Sequence, residues 1–229
     1  MPRSMPKNDY RTFGYVLRRT NYGEADRILN IITPQGKIAA IARAARKEKS
    51  KLAGGIEMFS LVELNIHQGK TELAIITGSK MVKFYKNILK DYNRVELAGR
   101  FLKWINKAAD GADSEDYYSI LKQSLEALDG GYDLELIESW FWLNLCRSMG
   151  EEMNLYRDNK GQKLLSESRY TWDVGESAFL QSEHGEYGVN EIKMLRLMVT
   201  TSLKTAGRVK VDSDLLGKVL GLSRVVAKV

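Results

Sequence analysis

The sequence predicts an α+β protein in which a small β barrel is followed by a helical domain. Two observations carry this prediction: the hydrophobic periodicity changes near Tyr85, and the excess positive charge lies before that point. A chain of 229 residues with 44% apolar and 28% charged residues is also typical of a globular protein with a sizeable core. We therefore expect a first domain over residues 1–85 and a second over residues 86–229.

Short apolar runs rich in β-branched and aromatic residues fill the first domain. Five of them lie between Arg11 and Tyr85, and turn signals such as Pro34-Gln35-Gly36 separate them. Five strands with short connections predict a closed barrel of the oligonucleotide/oligosaccharide-binding (OB) type. An SH3-like barrel has the same number of strands, and strand spacing alone does not separate the two.

The second domain has helical periodicity. Amphipathic patterns predict an all-α domain of about five helices, within residues 95–109, 117–131, 133–150, 190–207 and 212–229. Residues 151–187 are polar and irregular, so we expect an insert between the third and fourth of these helices.

The chain carries none of the common catalytic signatures. It has no Walker A, GxGxxG or GxSxG motif, and its two histidines, His67 and His184, lie far apart in sequence. The single cysteine, Cys146, lies in an apolar helical pattern, so we expect a buried, unreactive thiol and no thiolate zinc site. The sequence thus predicts a protein that is not an enzyme and that binds no metal ion or cofactor.

Two absences predict a cytoplasmic location. No apolar run approaches the roughly 18 residues that span a bilayer. The N-terminal residues also lack the hydrophobic stretch of a signal peptide.

Positive charge is unevenly distributed along the chain. Residues 1–85 hold 15 basic and 7 acidic side chains, a net charge of +8, whereas the remaining residues have a net charge of −2. The stretch RAARKEKSKLAGG, residues 43–55, places five basic residues and one acidic residue within nine positions, between the third and fourth predicted strands. This distribution predicts a polyanion-binding module joined to a module with another role. Gly54 and Gly55 indicate a loop that is free to conform to a flexible nucleic acid.

The candidate nucleic-acid-binding residues are cations of the first domain and one aromatic residue. Lys and Arg side chains neutralise phosphates and release counterions, whereas exposed aromatic rings stack on bases. Tyr22 lies beside a turn glycine and is expected to be exposed, while Phe13 and Phe59 are expected in the barrel core. The set comprises Arg18, Arg19, Tyr22, Lys37, Arg43, Arg46, Lys47, Lys49 and Lys51.

Residues 22–63 resemble the N-terminal domain of the RecO family of bacterial DNA-repair proteins. The family pattern is approximately YGE-x-DRI, a turn with Thr, Gly and Lys, then A-x-x-AR-x-x-KS-x-LAG and F-x-x-x-E. The matching residues here are Tyr22, Gly23, Glu24, Asp26, Arg27, Ile28, Thr33, Gly36, Lys37, Ala42, Ala45, Arg46, Lys49, Ser50, Leu52, Ala53, Gly54, Phe59 and Glu63. The helix FWLNLCRSMGEEMNL, residues 141–155, is similar to a helix of the family's second domain.

The resemblance implies an OB domain followed by a helical domain, binding of single- and double-stranded DNA, and annealing of complementary strands. It also implies that the protein works with RecR to load the RecA recombinase onto DNA coated by single-strand-binding protein. The family contacts the acidic C-terminal tail of that coating protein, which needs a hydrophobic pocket rimmed by positive charge. Candidate cations for such a rim are Arg147, Lys193, Arg196 and Lys204.

One departure from the family pattern concerns zinc. Many members carry two CxxC pairs in the insert, but residues 156–187 of this chain contain no cysteine. We therefore expect apolar packing to order the insert in place of a metal ion. The residues expected to pack are Tyr156, Leu164, Tyr170, Trp172 and Phe179.

Two other functions stay open on the residues alone. The first is an RNA-binding OB protein of the translation apparatus, and the second is a structural interaction protein that uses the helical domain. A comparison of binding to single-stranded DNA and to matched RNA, together with a strand-annealing assay, separates them.

Overall fold

A closed five-stranded barrel forms the N-terminal part of the chain. The computed structural model describes residues 9–110 and 115–228, so the predicted start of the first domain and the last residue of the second lie outside the described residues. The strands are β1 (Asp9–Tyr22), β2 (Asp26–Thr33), β3 (Gly36–Ala42), β4 (Ser60–His67) and β5 (Ala74–Phe84). They close in the order β1-β2-β3-β5-β4, with β4 paired back to β1. This strand order confirms the OB barrel and removes the SH3-like alternative.

Alternation along the strands fills the barrel interior. In β4, Val62, Leu64 and Ile66 are fully buried, and the residues between them are half-buried or exposed. Leu29 and Ile31 of β2 belong to the same buried cluster. Most pairings are antiparallel, and β3 meets β5 in parallel through only two residue pairs.

Two helices pack with the barrel. They are α1 (Tyr92–Ala108), whose first turn is capped by the carboxylate of Asp91, and α2 (Glu115–Asp129). The hydroxyl groups of Tyr15 and Tyr85 lie 3.0 Å apart, and the ring of Tyr118 in α2 lies 5.4 Å from the ring of Tyr15. The chain up to Asp129 is one compact unit. The predicted domain boundary at residue 85 stays a proposal. The compact unit that contains the barrel extends beyond it to Asp129, because this unit also includes α1 and α2.

The second compact unit, from Gly130 onward, is built on four helices within the described residues. They are α3 (Leu134–Ser148), α4 (Val189–Thr200), α5 (Leu203–Ala206) and α6 (Ser213–Ala227). Glu138 of α3 is almost fully buried and accepts hydrogen bonds from Trp142 Nε1 and from two guanidinium nitrogens of Arg224 in α6. The five predicted helical segments are confirmed, with one correction: the fourth, predicted over residues 190–207, is broken at Thr201 and Ser202, whose extended backbone divides it into α4 and the single turn α5. Within the described ranges, no helix is both long enough and apolar enough to cross a membrane.

The insert contains a two-stranded hairpin that the all-α prediction did not include. Its strands are β6 (Tyr170–Asp173) and β7 (Ala178–Gln181). Phe179 has no exposed surface, and its ring centroid lies 5.0 to 6.1 Å from those of Trp172, Tyr187 and Tyr170. Apolar packing thus orders the insert as predicted, with one correction. Tyr156 is 58% exposed and does not belong to this cluster.

Candidate nucleic-acid interface

The connection between β3 and β4, residues 43–59, is the basic loop of the molecule. It lies between the third and fourth strands, as the sequence predicts. Its five cations, Arg43, Arg46, Lys47, Lys49 and Lys51, are all exposed. None of the five forms an ion pair with a residue that the structure describes. Their charge is therefore directed to solvent, where a polyanion can reach it.

Backbone hydrogen bonds fix the start of the basic loop against the turn between β1 and β2. The amide of Arg46 donates to the carbonyl of Ala25 at 2.8 Å, and the guanidinium of Arg46 donates to the carbonyl of Gly23 at 3.3 Å. The amide of Ala44 donates to the carboxylate of Asp26 at 2.7 Å. The cations at the start of the loop therefore lie on a backbone segment that hydrogen bonds hold in place.

Tyr22 lies at the same end of the barrel as the basic loop. It is the last residue of β1 and pairs in register with Asp26, the residue that binds the amide of Ala44. Its side chain is 55% exposed, which confirms the sequence prediction. An aromatic ring beside a group of unpaired cations has the composition of a surface that binds single-stranded nucleic acid.

The end of the basic loop is packed, which corrects the expectation that its two glycines make it conformable. Gly55 is buried in a single 3-10 turn, and a Cβ atom on it would lie 2.3 Å from Ser79 Oγ in β5. The hydroxyl of Ser79 donates to the carbonyl of Leu52 at 3.1 Å. Leu52 and Met58 also pack against the barrel core. Gly55 is therefore required for a close approach to β5, and only Gly54 faces open space.

The remaining candidate cations of the barrel divide into free and committed side chains. Arg18 is exposed, whereas Arg19 donates to the carboxylate of Glu57 at 2.8 Å, so one of this pair faces outward as predicted. Lys37 is largely buried and binds the carbonyl of Asn106 and the carboxylate of Asp110. Because the side chains of Arg19 and Lys37 are already bound to other residues of the protein, we do not include them in the proposed phosphate-binding surface.

The aromatic residues of the barrel correct two sequence interpretations. Phe13 was expected in the core but is 43% exposed on β1, where it lies opposite Glu63 of β4. Phe59 is half-buried and adopts a positive φ of 55° at the end of the basic loop. Tyr15, another aromatic residue of β1, is 1% exposed and does not reach solvent.

Two family models together match almost the whole chain. "Recombination protein O N terminal" matches residues 5–85, and "Recombination protein O C terminal" matches residues 89–226. The chain belongs to the recombination protein O family. Similar relatives include DNA repair protein RecO of Dehalococcoides mccartyi strain CBDB1, 29% identical over 92% of this chain and 86% of the relative. DNA repair protein RecO of Roseiflexus sp. strain RS-1 is 33% identical over 64% of this chain and 52% of the relative.

The cations suggested for partner binding have different roles in the second unit. Arg147 donates to the carbonyl of Val199, and Arg196 donates to the carbonyl of Leu155 at 2.9 Å while lying 4.7 Å from the ring centroid of Tyr156. Lys204 is exposed on α5. Lys193 lines an open pocket.

The pocket beside Lys193 has a volume of about 310 Å³ and lies between α4, α6 and residues 209–212. Met194, Leu197 and Leu215 supply apolar surface, and Lys210 contributes a second cation that the sequence analysis missed. Lys210 stands between Val209 and Val211 in a short connection, and no helical periodicity singles it out. The carboxylate of Asp212, which caps α6, also lines the pocket, so its lining combines two cations with one acidic residue.

His67 and Cys146 lie in surroundings that suggest no catalytic role. His67 Nδ1 lies 2.6 Å from the carboxylate of Asp9 at an exposed strand end. Burial raises the pKa of the Cys146 thiol to about 11, which fits the buried thiol expected from the sequence. Among the described residues, no group of three or more His, Cys, Asp or Glu side chains is arranged to hold a metal ion.

Proposed function

We propose that this protein binds single- and double-stranded DNA and acts as a recombination mediator in DNA repair. In this role it anneals complementary strands and, together with RecR, helps to load RecA onto DNA coated by single-strand-binding protein. The basic loop carries the proposal, because it presents five exposed cations on a backbone held against the end of an OB barrel. A role in DNA repair and recombination is that of the family to which the chain belongs.

Phosphate contacts would supply most of the affinity. Each phosphate that a Lys or Arg side chain neutralises releases condensed counterions, so binding gains free energy without reading sequence. The net charge of +8 over residues 1–85 attracts a polyanion to this end of the chain. Sequence-independent binding suits annealing, since the protein must hold two different strands.

Base contacts would be few. Tyr22 is the exposed aromatic side chain next to the basic loop, and one ring stacks on one base. A surface with many phosphate contacts and few base contacts leaves the base edges available for pairing with a second strand. The protein would thus act by binding and alignment rather than by a chemical step, and we propose a location at the nucleoid.

Support for a contact with the acidic tail of single-strand-binding protein comes from the pocket beside Lys193. Its two lysines and apolar floor match a peptide that combines carboxylates with an apolar side chain. Lys193→Glu should weaken binding of the tail peptide, measured by fluorescence anisotropy, because the new carboxylate repels the tail. Lys160→Glu, at an exposed turn remote in sequence from the pocket, is the matched control.

An annealing assay tests the proposed function directly. We expect the wild-type protein to accelerate pairing of two complementary DNA strands and to bind single-stranded DNA at least as tightly as RNA of the same sequence. A preference for RNA without any annealing would instead favour an RNA-binding protein of the translation apparatus. Co-purification with RecR tests the partnership separately.

A further inference from the structure

A groove lies between β1, α1 and Met58 at the end of the basic loop. Its volume is about 580 Å³, within the roughly 300–1,000 Å³ of pockets that take small ligands. Leu17, Leu102 and Met58 form apolar surface, and the indole of Trp104 stands beside them. An apolar groove with one indole can accept a flat ring by stacking and burial.

The charge around this groove is positive. Arg18, Lys103 and Lys107 line it, and among residues 9–110 and 115–228 no acidic side chain does. Lys107 Nζ lies 5.0 Å from the ring centroid of Trp104, so the cation and the indole are adjacent. Two nearby acids are already neutralised, since Glu57 beside Met58 pairs with Arg19 and Asp110 after α1 pairs with Lys37.

Hydrogen bonds hold α1 in place at the C-terminal end of the groove. Asn30 Nδ2 in β2 donates to Asn106 Oδ1 at 3.0 Å, and Lys37 Nζ in β3 donates to the carbonyl of Asn106 at 2.5 Å. The groove is therefore fixed by contacts between a barrel strand and a helix of the same compact unit. A fixed groove reduces the entropy cost of binding.

We propose that this groove binds a nucleotide of single-stranded DNA, with its base against the apolar floor beside Trp104 and its phosphates at Arg18, Lys103 and Lys107. This inference rests on the proposed function and extends it to a second site. Single-stranded DNA fits better than a duplex, because the bases of a duplex are stacked on one another and are not free to enter a groove.

The groove is also continuous with the basic loop. Met58 belongs to the loop, and Arg18 lies on β1, the strand that ends at Tyr22. A single strand that leaves the loop can therefore continue along β1 into the groove. The loop would hold the phosphates of either DNA form, and the groove would select single strands.

Gly99 offers a way to fill the groove without removing a charge. It lies in α1 on the groove wall, and a Cβ atom added to it meets no atom within 4 Å. Gly99→Leu should therefore occupy the groove while favouring the helix, because Leu has a higher helix propensity than Gly. Gly99→Ala is the small control, and Gly217→Leu, at a similarly open position in α6, is the control for the same chemical change elsewhere.

The test measures the affinity of each variant for a single-stranded oligothymidylate and for a duplex of equal length, by fluorescence anisotropy. Gly99→Leu should lose roughly fivefold or more in affinity for the single strand, the loss expected for one stacked base, and should keep the wild-type duplex affinity. Binding of the single strand should also quench Trp104 fluorescence, obtained as the difference between wild type and Trp104→Phe. Both control variants should behave as wild type, and melting curves confirm that every variant is folded.

Several outcomes would overturn the inference. They are an unchanged single-strand affinity in Gly99→Leu, an equal loss for both DNA forms, or no quenching of Trp104. Loss of binding to an acidic peptide with unchanged single-strand affinity would assign the groove to a protein partner instead. If the wild-type protein bound no DNA, the proposed function itself would be wrong. That result differs from failure of the groove proposal, in which the wild-type protein binds DNA and only the expected behaviour of the variants is missing.

Discussion

Gly54 and Gly55 are neighbours in the basic loop with opposite steric surroundings. A Cβ atom on Gly55 would clash with Ser79, whereas a Cβ atom on Gly54 meets open space. Gly55→Ala should therefore lower the free energy of unfolding by about 1–3 kcal/mol, the usual cost of overpacking. Gly54→Ala should leave it nearly unchanged, as measured by urea denaturation. Equal effects of the two substitutions would contradict the packing described for the end of the loop.

Side-chain roles at the residue scale could be predicted only where they depend on local sequence. Tyr22 follows from its place beside a turn glycine, and Arg18 from the alternation of a strand end. Lys37 could not be assigned in this way, because its partner Asp110 lies 73 residues away in sequence. The exposure of Phe13 likewise depends on which parts of β1 other elements cover, which no local pattern contains.

At the scale of elements, α3 and α6 are joined by a buried carboxylate. Glu138 is 4% exposed and forms an ion pair with Arg224, in which the guanidinium donates to both carboxylate oxygens. Arg224→Met should cost up to about 3 kcal/mol, because it leaves a carboxylate with reduced compensation inside the unit. Lys218→Met in the same helix breaks a solvent-facing pair with Asp214 and should cost much less, because solvent screens that pair. Chemical denaturation of both variants measures the difference, and a cost for Lys218→Met as large as that for Arg224→Met would refute this explanation.

The insert is ordered by an aromatic cluster around Phe179. Phe179→Ala should destabilise the protein by about 3–5 kcal/mol, the usual cost of removing a fully buried ring. Addition of a chelator such as EDTA should leave the melting temperature unchanged. Tyr156→Ala, at an exposed aromatic of the same insert, is the control and should cost far less. A large fall in melting temperature with EDTA would show that a metal ion stabilises the fold.

The paired tyrosines between the barrel and α2 predict an alkaline limit of stability. Burial raises the pKa of Tyr85 from 10.0 to about 12 and that of Tyr15 still further. The folded state thus keeps protons that the unfolded state loses above its own pKa, so the contribution of these tyrosines to stability is constant below about pH 10 and falls as pH rises beyond it. Denaturant midpoints measured across this range should show the fall, and it should be smaller in the variant carrying Tyr15→Phe and Tyr85→Phe. Identical pH profiles for the two proteins would contradict the assignment.

At the scale of the whole molecule, periodicity and charge predicted the architecture. The five runs before Tyr85 became the five strands, and the five amphipathic patterns after it became helices. These strands and helices could be predicted from the sequence because strand alternation and helical periodicity are local properties of it. The hairpin β6–β7 was missed, since its four-residue strands are too short to give a clear alternation.

The candidate site was only partly predictable, because only part of it is formed within one segment of the sequence. The charge of the basic loop is visible in the sequence, as is its position between two strands. The β1–α1 groove is not visible, because Arg18 and Trp104 are far apart in sequence and meet only through the packing of α1 on the barrel. Sites made within one segment can be predicted from the sequence, whereas sites made between segments need the fold.

The proposed function requires the basic loop to bind DNA through its phosphates. A salt titration of affinity for single-stranded DNA tests it most directly, with wild type compared with the variant Arg46→Ala, Lys47→Ala, Lys49→Ala and Lys51→Ala. A control that removes four exposed lysines elsewhere, Lys70, Lys122, Lys160 and Lys163, lowers the net charge equally. If all four loop cations contact phosphates, the slope of log affinity against log salt should flatten by about 3 in the loop variant and much less in the control. A loop variant with the wild-type slope would show that the phosphates are held elsewhere and would contradict the account.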